Sequence, residues 1–190
     1  MTKFPDPTLV VKRVIELLDG VEKTRQITDQ ELADMNQRWD QDVESIGRIL
    51  RAHLYIEHYM TEYLSKANPH LVSVEKAKLS FAQKLALLDP NDPRLQEVKE
   101  VVKHLNAIRN RLAHRLSATV TAEDSAIFLR ASYFGEMREE RAKPNKPSND
   151  PLDILEEFAQ HASYAFTRKF SAVGQAFAVA FEECSEPPAT

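Results

Sequence analysis

Apolar residues recur at intervals of three and four along most of this chain, and this spacing constrains its fold more than any other feature. It places them along one side of an α-helix, whereas a half-buried strand needs strict alternation, which is hard to find here. The chain contains only 4 glycines, so few positions interrupt a helix. We therefore predict an all-α protein with one main domain, because 190 residues suffice to bury a sizeable core.

Helix start and stop signals divide the chain into an accessory helix, a helical domain and a tail. The first helix is expected from about Thr8 to Arg25, with Gly20 as an alternative end. The sequence "TDQE" at Thr28 has capping-box spacing and predicts the start of the main domain. The predicted divisions are an N-terminal accessory helix over 1–27, a helical bundle over 28–184 and a disordered tail over 185–190.

Further signals predict the helices of the main domain. A long helix, or two helices joined near Gly47, is expected from Thr28 to about Ala67. Three prolines within residues 143–151 forbid a continuous helix and predict a loop. The other predicted helices run from about Val74 to Leu88, Pro93 to Leu116, Ile127 to Arg141 (after a second capping pattern, Thr121 to Asp124) and Pro151 to Glu183.

Composition excludes several classes of function. A net charge of −4 disfavours a general binder of polyanions, so any contact with nucleic acid must be local. Cys184 is the only cysteine, which rules out a disulfide framework and suits the reducing cytoplasm. No apolar run approaches the roughly 20 residues that span a bilayer, so no membrane association is expected. No glycine-rich phosphate loop is present, so no cofactor is expected. His53 and His58 lie about 140° apart around a helix and do not face one metal ion, so no metal is expected.

The predicted helix from Pro93 to Leu116 carries a polar stripe beside its apolar face. At about 100° per residue, the apolar side chains share one side and Arg109 lies at its edge. The apolar face comprises Val98, Val101, Val102, Leu105, Ile108, Leu112 and Leu116, and the polar stripe comprises Lys99, Lys103, Asn106, Asn110 and His114. Arg109 and His114 do not share a face, so they converge only if the arginine side chain curls round or a second helix completes the site.

A carboxylate falls on the apolar stripe of the preceding long helix. Glu57 lies among Ile46, Ile49, Leu50, Met60 and Leu64, with His53 beside it. A buried carboxylate costs several kcal/mol unless it is paired or protonated. We therefore expect Glu57 to pair with Arg109. The alternative is that Glu57 lies at the rim of the helix and meets water.

Arg109, Asn110 and His114 form an R-N-x-x-x-H pattern that resembles the Arg-x4–6-His motif of the HEPN superfamily, the higher-eukaryote and prokaryote nucleotide-binding domain. Three segments resemble its first, second and third core helices: "RAHLYIEHYMTEYL" (51–64), "LSFAQKLALL" (79–88) and "LNAIRNRLAHRL" (105–116). The second segment, the motif helix and "SATVTAEDSAIF" (117–128) are also similar to the mannitol-operon-repressor-like branch of small helical proteins. The resemblance covers roughly residues 44–180.

The resemblance implies an antiparallel bundle of four to five helices that forms a homodimer and brings two copies of the motif together. Catalytic members are metal-independent ribonucleases. His114 is then the general acid or base, Arg109 the phosphate anchor, and Asn110 orients the imidazole or binds phosphate. Histidine transfers protons near neutral pH and arginine stabilises phosphoryl charge, so these residue types suit RNA cleavage. The expected supporting residues are Glu57, through its expected pair with Arg109, and Arg111. The expected RNA-binding residues are Lys99, Lys103 and Asn106.

Three functions remain open from the sequence. The first is an endoribonuclease of the toxin or host-defence kind. The second is a non-catalytic regulator that works through protein partners, which the acidic charge and the lack of a helix-turn-helix signal favour. The third is one half of a pair in which a nucleotidyltransferase antitoxin neutralises the helical protein.

Overall fold

The computed structural model describes residues 4–40, 42–69, 77–114 and 119–185. Within these ranges the backbone forms nine helices and no β-strand, which confirms the all-α prediction. The chain divides into two compact units, Met1–Asp42 and Val43–Thr190. The first unit contains α1 (Pro7–Leu17) and α2 (Val21–Trp39). The second contains α3 (Val43–Ala67), α4 (Phe81–Ala86), α5 (Pro93–His114), α6 (Ala122–Phe128), α7 (Phe134–Ala142), α8 (Pro151–Thr167) and α9 (Ala172–Ser185).

The first helix ends near Gly20, the earlier of its two predicted ends. Its start is capped by Asp6, whose Oδ1 accepts a hydrogen bond from the backbone N–H of Thr8 at 2.9 Å. After Leu17 the chain turns through Gly20, whose φ of 112° strongly favours glycine. The next helix then starts directly at Val21.

The predicted helix start at Thr28 is wrong. Thr28 lies inside α2, and its hydroxyl donates a hydrogen bond to the carbonyl oxygen of Thr24 at 2.8 Å. Because α2 has already begun at Val21, the backbone N–H groups near Thr28 bond within the helix and need no cap.

The predicted domain boundary between residues 27 and 28 is corrected for the same reason. It falls in the middle of α2, whereas the boundary between the two compact units follows Asp42 in the sequence. The proposed junction near Gly47 is also misplaced, since Gly47 lies within α3, whereas α2 ends at Trp39 and α3 begins at Val43.

The core of the second unit is built mainly from α3, α5 and α8. The predicted apolar face of α5 is confirmed at its five buried positions, Val98, Val101, Val102, Leu105 and Ile108. Leu112 is partly buried against the core, and Leu116 lies outside the described residues. None of the described helices combines the length and apolar character needed to cross a membrane.

Two connecting segments differ from their predictions. The expected helix from Val74 to Leu88 is represented by the short α4, capped by Ser80, and Val74 lies outside the described residues. The expected segment from Ile127 to Arg141 is divided into α6 and α7, with Tyr133 in a left-handed conformation between them. The capping box at Thr121 and the loop before Pro151 are confirmed.

The predicted last helix is two helices, α8 and α9. The chain turns at Arg168–Ser171, where Ser171 Oγ accepts a hydrogen bond from the backbone N–H of Gly174 at 2.9 Å. A Cβ atom on Gly174 would lie 2.1 Å from the carbonyl oxygen of Arg168, so only glycine fits this turn. Of the predicted tail, Ser185 ends α9 and residues 186–190 lie outside the described residues.

Candidate functional site

The C-terminal end of α5 presents three polar side chains to solvent. Arg109, Asn110 and His114 are all exposed. Arg109 Nη1 donates to Asn110 Oδ1 at 3.4 Å, whereas His114 has no hydrogen-bond or ion-pair partner in the described part of the chain. Five residues of helix separate Arg109 from His114 by about 7.5 Å along the axis and about 140° around it. The structure therefore brings Arg109 and Asn110 together but leaves His114 on a different side.

The polar stripe on α5 divides into exposed and engaged residues. Lys103 is exposed beside Glu100, with Nζ 3.6 Å from Oε2, while Lys99 is half-buried. Asn106 is half-buried, and its Oδ1 lies 3.0 Å from Nε2 of His53 on α3. Because an amide oxygen accepts, His53 is the donor in this hydrogen bond. Asn106 thus links two helices rather than facing solvent as the stripe predicted.

His53 is a buried histidine directly beneath this stripe. The residue is 6% exposed, and its ring stacks on Phe81 of α4 with centroids 4.4 Å apart. Burial lowers the pKa of His53, and the positive charges of Arg109 and Lys84 act in the same direction. The hydrogen bond to Asn106 and the carboxylate of Glu57 oppose that shift without overcoming it. At neutral pH the imidazole is therefore uncharged and serves as a hydrogen-bond donor between helices.

The predicted pair between Glu57 and Arg109 is wrong. Glu57 is only half-buried, and its Oε1 lies 2.7 Å from Nζ of Lys84 on α4. Packing of Phe81 and Leu85 into the core places α4 against α3, and this brings Lys84 onto the carboxylate. The signal that sequence reasoning missed is Lys84 itself, a lone cation in the apolar segment "LSFAQKLALL". Arg109 consequently has no acidic partner among the described residues.

Arg111 makes an internal ion pair rather than supporting the exposed site. Its guanidinium binds both carboxylate oxygens of Asp124, which is 3% exposed, and Nη2 also donates to the carbonyl oxygen of Thr119. His104 Nε2 lies 2.8 Å from the same carboxylate, and the backbone N–H of Thr121 donates to it. Sequence reasoning identified Asp124 as a capping residue but missed its long-range contacts with His104 and Arg111.

The contacts of Asp124 change its ionisation. Burial alone opposes the charged form, but hydrogen bonds from Arg111, the backbone of Thr121 and His104 outweigh it and lower the pKa of Asp124. The carboxylate therefore anchors the start of α6 to the end of α5. The exposed site reduces to Arg109, Asn110 and His114, with His53, Asn106, Glu57 and Lys84 beneath or beside it.

Comparisons with models of known protein families, with functionally characterised proteins and with solved structures give no significant match to this chain.

Proposed function

We propose that this protein is a cytoplasmic, metal-independent endoribonuclease of the HEPN type that acts as a homodimer and needs no cofactor. The observation that carries the proposal is the exposure of Arg109 and His114 at one end of α5, each without an acidic partner among the described residues. An arginine in this state has N–H donors available for a phosphate. The exposed His114 supplies proton transfer near neutral pH.

The proposed reaction needs no group beyond these side chains and the RNA. The neutral imidazole of His114 accepts the 2′-hydroxyl proton while the 2′ oxygen attacks the adjacent phosphorus. The bond from phosphorus to the 5′ oxygen breaks, and that oxygen takes the proton from the imidazolium of the same His114, which returns to its neutral form. Arg109 stabilises the negative charge that develops on the phosphoryl oxygens. The products are a 2′,3′-cyclic phosphate and a 5′-hydroxyl.

A homodimer resolves the geometry of a single helix. Because Arg109 and His114 lie about 140° apart around α5, one copy presents them in different directions. A two-fold axis near the end of α5 places Arg109 of one copy opposite His114 of the other. Each dimer then holds two equivalent sites.

The test is cleavage of a mixed RNA pool by purified protein in EDTA. We expect cutting that leaves 2′,3′-cyclic phosphate ends and is lost in both Arg109→Ala and His114→Ala. The matched controls are Arg130→Ala and His58→Ala, since both residues are exposed and lie outside α5, Arg130 in the turn after α6 and His58 on α3. Cleavage that survives in the site variants, or is lost equally in the controls, contradicts the proposal.

A second candidate is a non-catalytic regulatory module, paired with a nucleotidyltransferase antitoxin or another protein. One observation favours it: neither α1 nor α2 contains a buried residue, and α2 exposes Leu32, Met35 and Trp39. Apolar surface of this kind is typical of a protein-binding face. Growth arrest on expression that His114→Ala relieves favours the nuclease. Absence of RNA cleavage by a folded dimer, with equal growth effects of the wild type and His114→Ala, favours the regulator.

A further inference from the structure

A groove of about 640 Å³ lies at the opposite end of α5 from the candidate site. Its walls come from the first turns of α5, from α7 and the residues before it, from α8 and from α9. Arg94 lines the groove, so at 1.5 Å per residue it lies about 22–30 Å along α5 from Arg109 and His114. The volume falls in the range of about 300–1,000 Å³ that is typical of small-molecule sites.

The lining of this groove is mostly apolar and unusually rich in exposed aromatic rings. Val98, Met137, Ala165 and Ala178 contribute aliphatic surface. The aromatic lining residues Tyr133, Tyr164 and Phe177 are 59%, 51% and 58% exposed. A single exposed aromatic residue is ordinary, but three around one concave surface favour a ligand that covers them. Flat rings of this kind are suited to stacking against another aromatic system.

The polar groups of the groove carry more hydrogen-bond donors than acceptors. Arg94 Nη1 pairs with Glu97 at 3.4 Å, and Arg168 Nη2 pairs with Asp92 at 3.0 Å. An arginine has five N–H donors, so most of them have no acceptor among the described residues. Arg168 Nε is also buried without a hydrogen-bond partner there. Such donors favour a ligand with an anionic acceptor.

Two backbone features shape this groove. Tyr133 has a φ of 59°, a conformation that is costly for a residue other than glycine, and the guanidinium of Arg94 lies 4.6 Å from its ring centroid. The close approach of Gly174 to Arg168 lets the chain turn so that Phe177 and Ala178 of α9 line the groove. The backbone thus places an aromatic ring beside a guanidinium on one wall and an apolar helix on another.

We propose that this groove binds a small molecule with a flat aromatic body and one anionic group. The aromatic body packs among Tyr133, Tyr164 and Phe177, and the anionic group accepts hydrogen bonds from Arg94 and Arg168. This site is separate from the proposed ribonuclease site and does not depend on it.

The first test is fluorescence titration with 1-anilinonaphthalene-8-sulfonate, which has a flat naphthalene ring system and one sulfonate. We expect saturable binding that Ala178→Trp abolishes, because the new ring fills the groove from an exposed position on α9. The matched control is Ala176→Trp, an exposed position on the same helix outside the lining of this groove. Equal binding by both tryptophan variants, with far-ultraviolet circular dichroism like that of the wild type, overturns the proposal.

The second test separates the anionic group from the aromatic body. Arg94→Gln is expected to weaken binding of the sulfonate probe roughly tenfold, in line with loss of a hydrogen bond to a charged group. It leaves binding of neutral N-phenyl-1-naphthylamine unchanged. Equal effects on the two probes contradict the role of Arg94. Displacement of the sulfonate probe by sodium sulfate at equal concentration contradicts the need for an aromatic body.

Discussion

The imidazole Nε2 of His53 lies 3.0 Å from the amide Oδ1 of Asn106. This hydrogen bond joins α3 to α5 one turn before Asn110 and beneath the exposed end of the motif helix. His53 belongs to the predicted apolar stripe of α3, and Asn106 belongs to the predicted polar stripe of α5. The two residues nevertheless form one part-buried contact between these helices. Asn106 adds a polar contact between α5 and α3, while Arg109, Asn110 and His114 remain exposed.

Replacement of Asn106 with alanine is expected to destabilise the protein. The buried N–H of His53 then loses its acceptor, which typically costs about 1–3 kcal/mol. The matched control is Asn110→Ala, the exposed asparagine one turn further along α5, for which we expect a change within about 0.5 kcal/mol. Urea unfolding followed by circular dichroism measures both free energies of unfolding. Equal changes in the two variants would show that the His53 contact contributes nothing to stability.

Glu57 is expected to couple energetically to Lys84 and not to Arg109. In a double-mutant cycle, Glu57→Gln and Lys84→Met should give a coupling energy of about 0.5–3 kcal/mol, the range for residues in contact. The same cycle with Arg109→Met should give a value near zero, because Arg109 makes no ion pair with Glu57. Urea unfolding provides the four free energies for each cycle. A larger coupling with Arg109 would restore the pairing that the sequence predicted.

The sequence predicts the core of α5 well because burial follows helical periodicity. Leu105 and Ile108 are fully buried, as their phase requires. Thr121 caps α6 as its spacing predicts, since Asp124 three residues on completes the capping box. Thr28 has similar spacing and fails as a cap, because α2 begins seven residues earlier, after the turn at Gly20. A local pattern identifies a possible cap, whereas the start of the helix depends on the chain before it.

The charged contacts around the candidate site are less accessible to sequence reasoning. The position of Glu57 on its helix correctly indicates that a cation is needed, but which cation depends on where α4 packs. Arg111 is likewise bound to Asp124, a contact between two different helices. The predicted last helix is interrupted after Thr167, where the sequence contains no proline. The sequence signal for this interruption is Gly174, because the backbone of Arg168 approaches it too closely for any larger residue.

Acid should weaken the contact between Asp124 and Arg111. The pKa of Asp124 is lower in the folded protein than the unfolded value of about 3.9, so its stabilising effect is complete above that pH. The effect is lost as pH falls through the folded pKa. Asp124→Asn should therefore lower the free energy of unfolding at pH 7 by about 3 kcal/mol or less, because Arg111 is partly exposed. The loss should shrink below pH about 4.

Thermal unfolding between pH 3 and pH 7 measures this dependence. The control is Glu139→Gln, an exposed carboxylate on α7, which should leave the pH profile like that of the wild type. A constant difference between Asp124→Asn and the wild type across the whole pH range would contradict the assignment.

Two glycines should respond in opposite ways to alanine. Gly47 lies within α3, where an added Cβ meets no atom within 4 Å, so Gly47→Ala should stabilise the protein by about 0.5–1 kcal/mol. Gly174→Ala would place Cβ 2.1 Å from the carbonyl oxygen of Arg168, so the turn before α9 must open. Hydrogen exchange should show faster exchange in α9 for Gly174→Ala only. Unchanged protection of α9 in that variant would mean that the turn accommodates a side chain.

Mixing inactive variants tests whether the proposed ribonuclease site is shared between two copies. In a dimer of Arg109→Ala with His114→Ala, one site lacks both residues, and the other keeps Arg109 from one copy and His114 from the other. Random pairing makes half of the dimers mixed, so co-expression should restore roughly a quarter of the wild-type cleavage rate. The measurement is RNA cleavage in EDTA by the co-purified mixture, with each variant alone as the control. The contradicting outcome is that the wild type cleaves RNA while the mixture is no more active than either variant alone. Arg109 and His114 of the same copy must then act together, and the shared site is excluded.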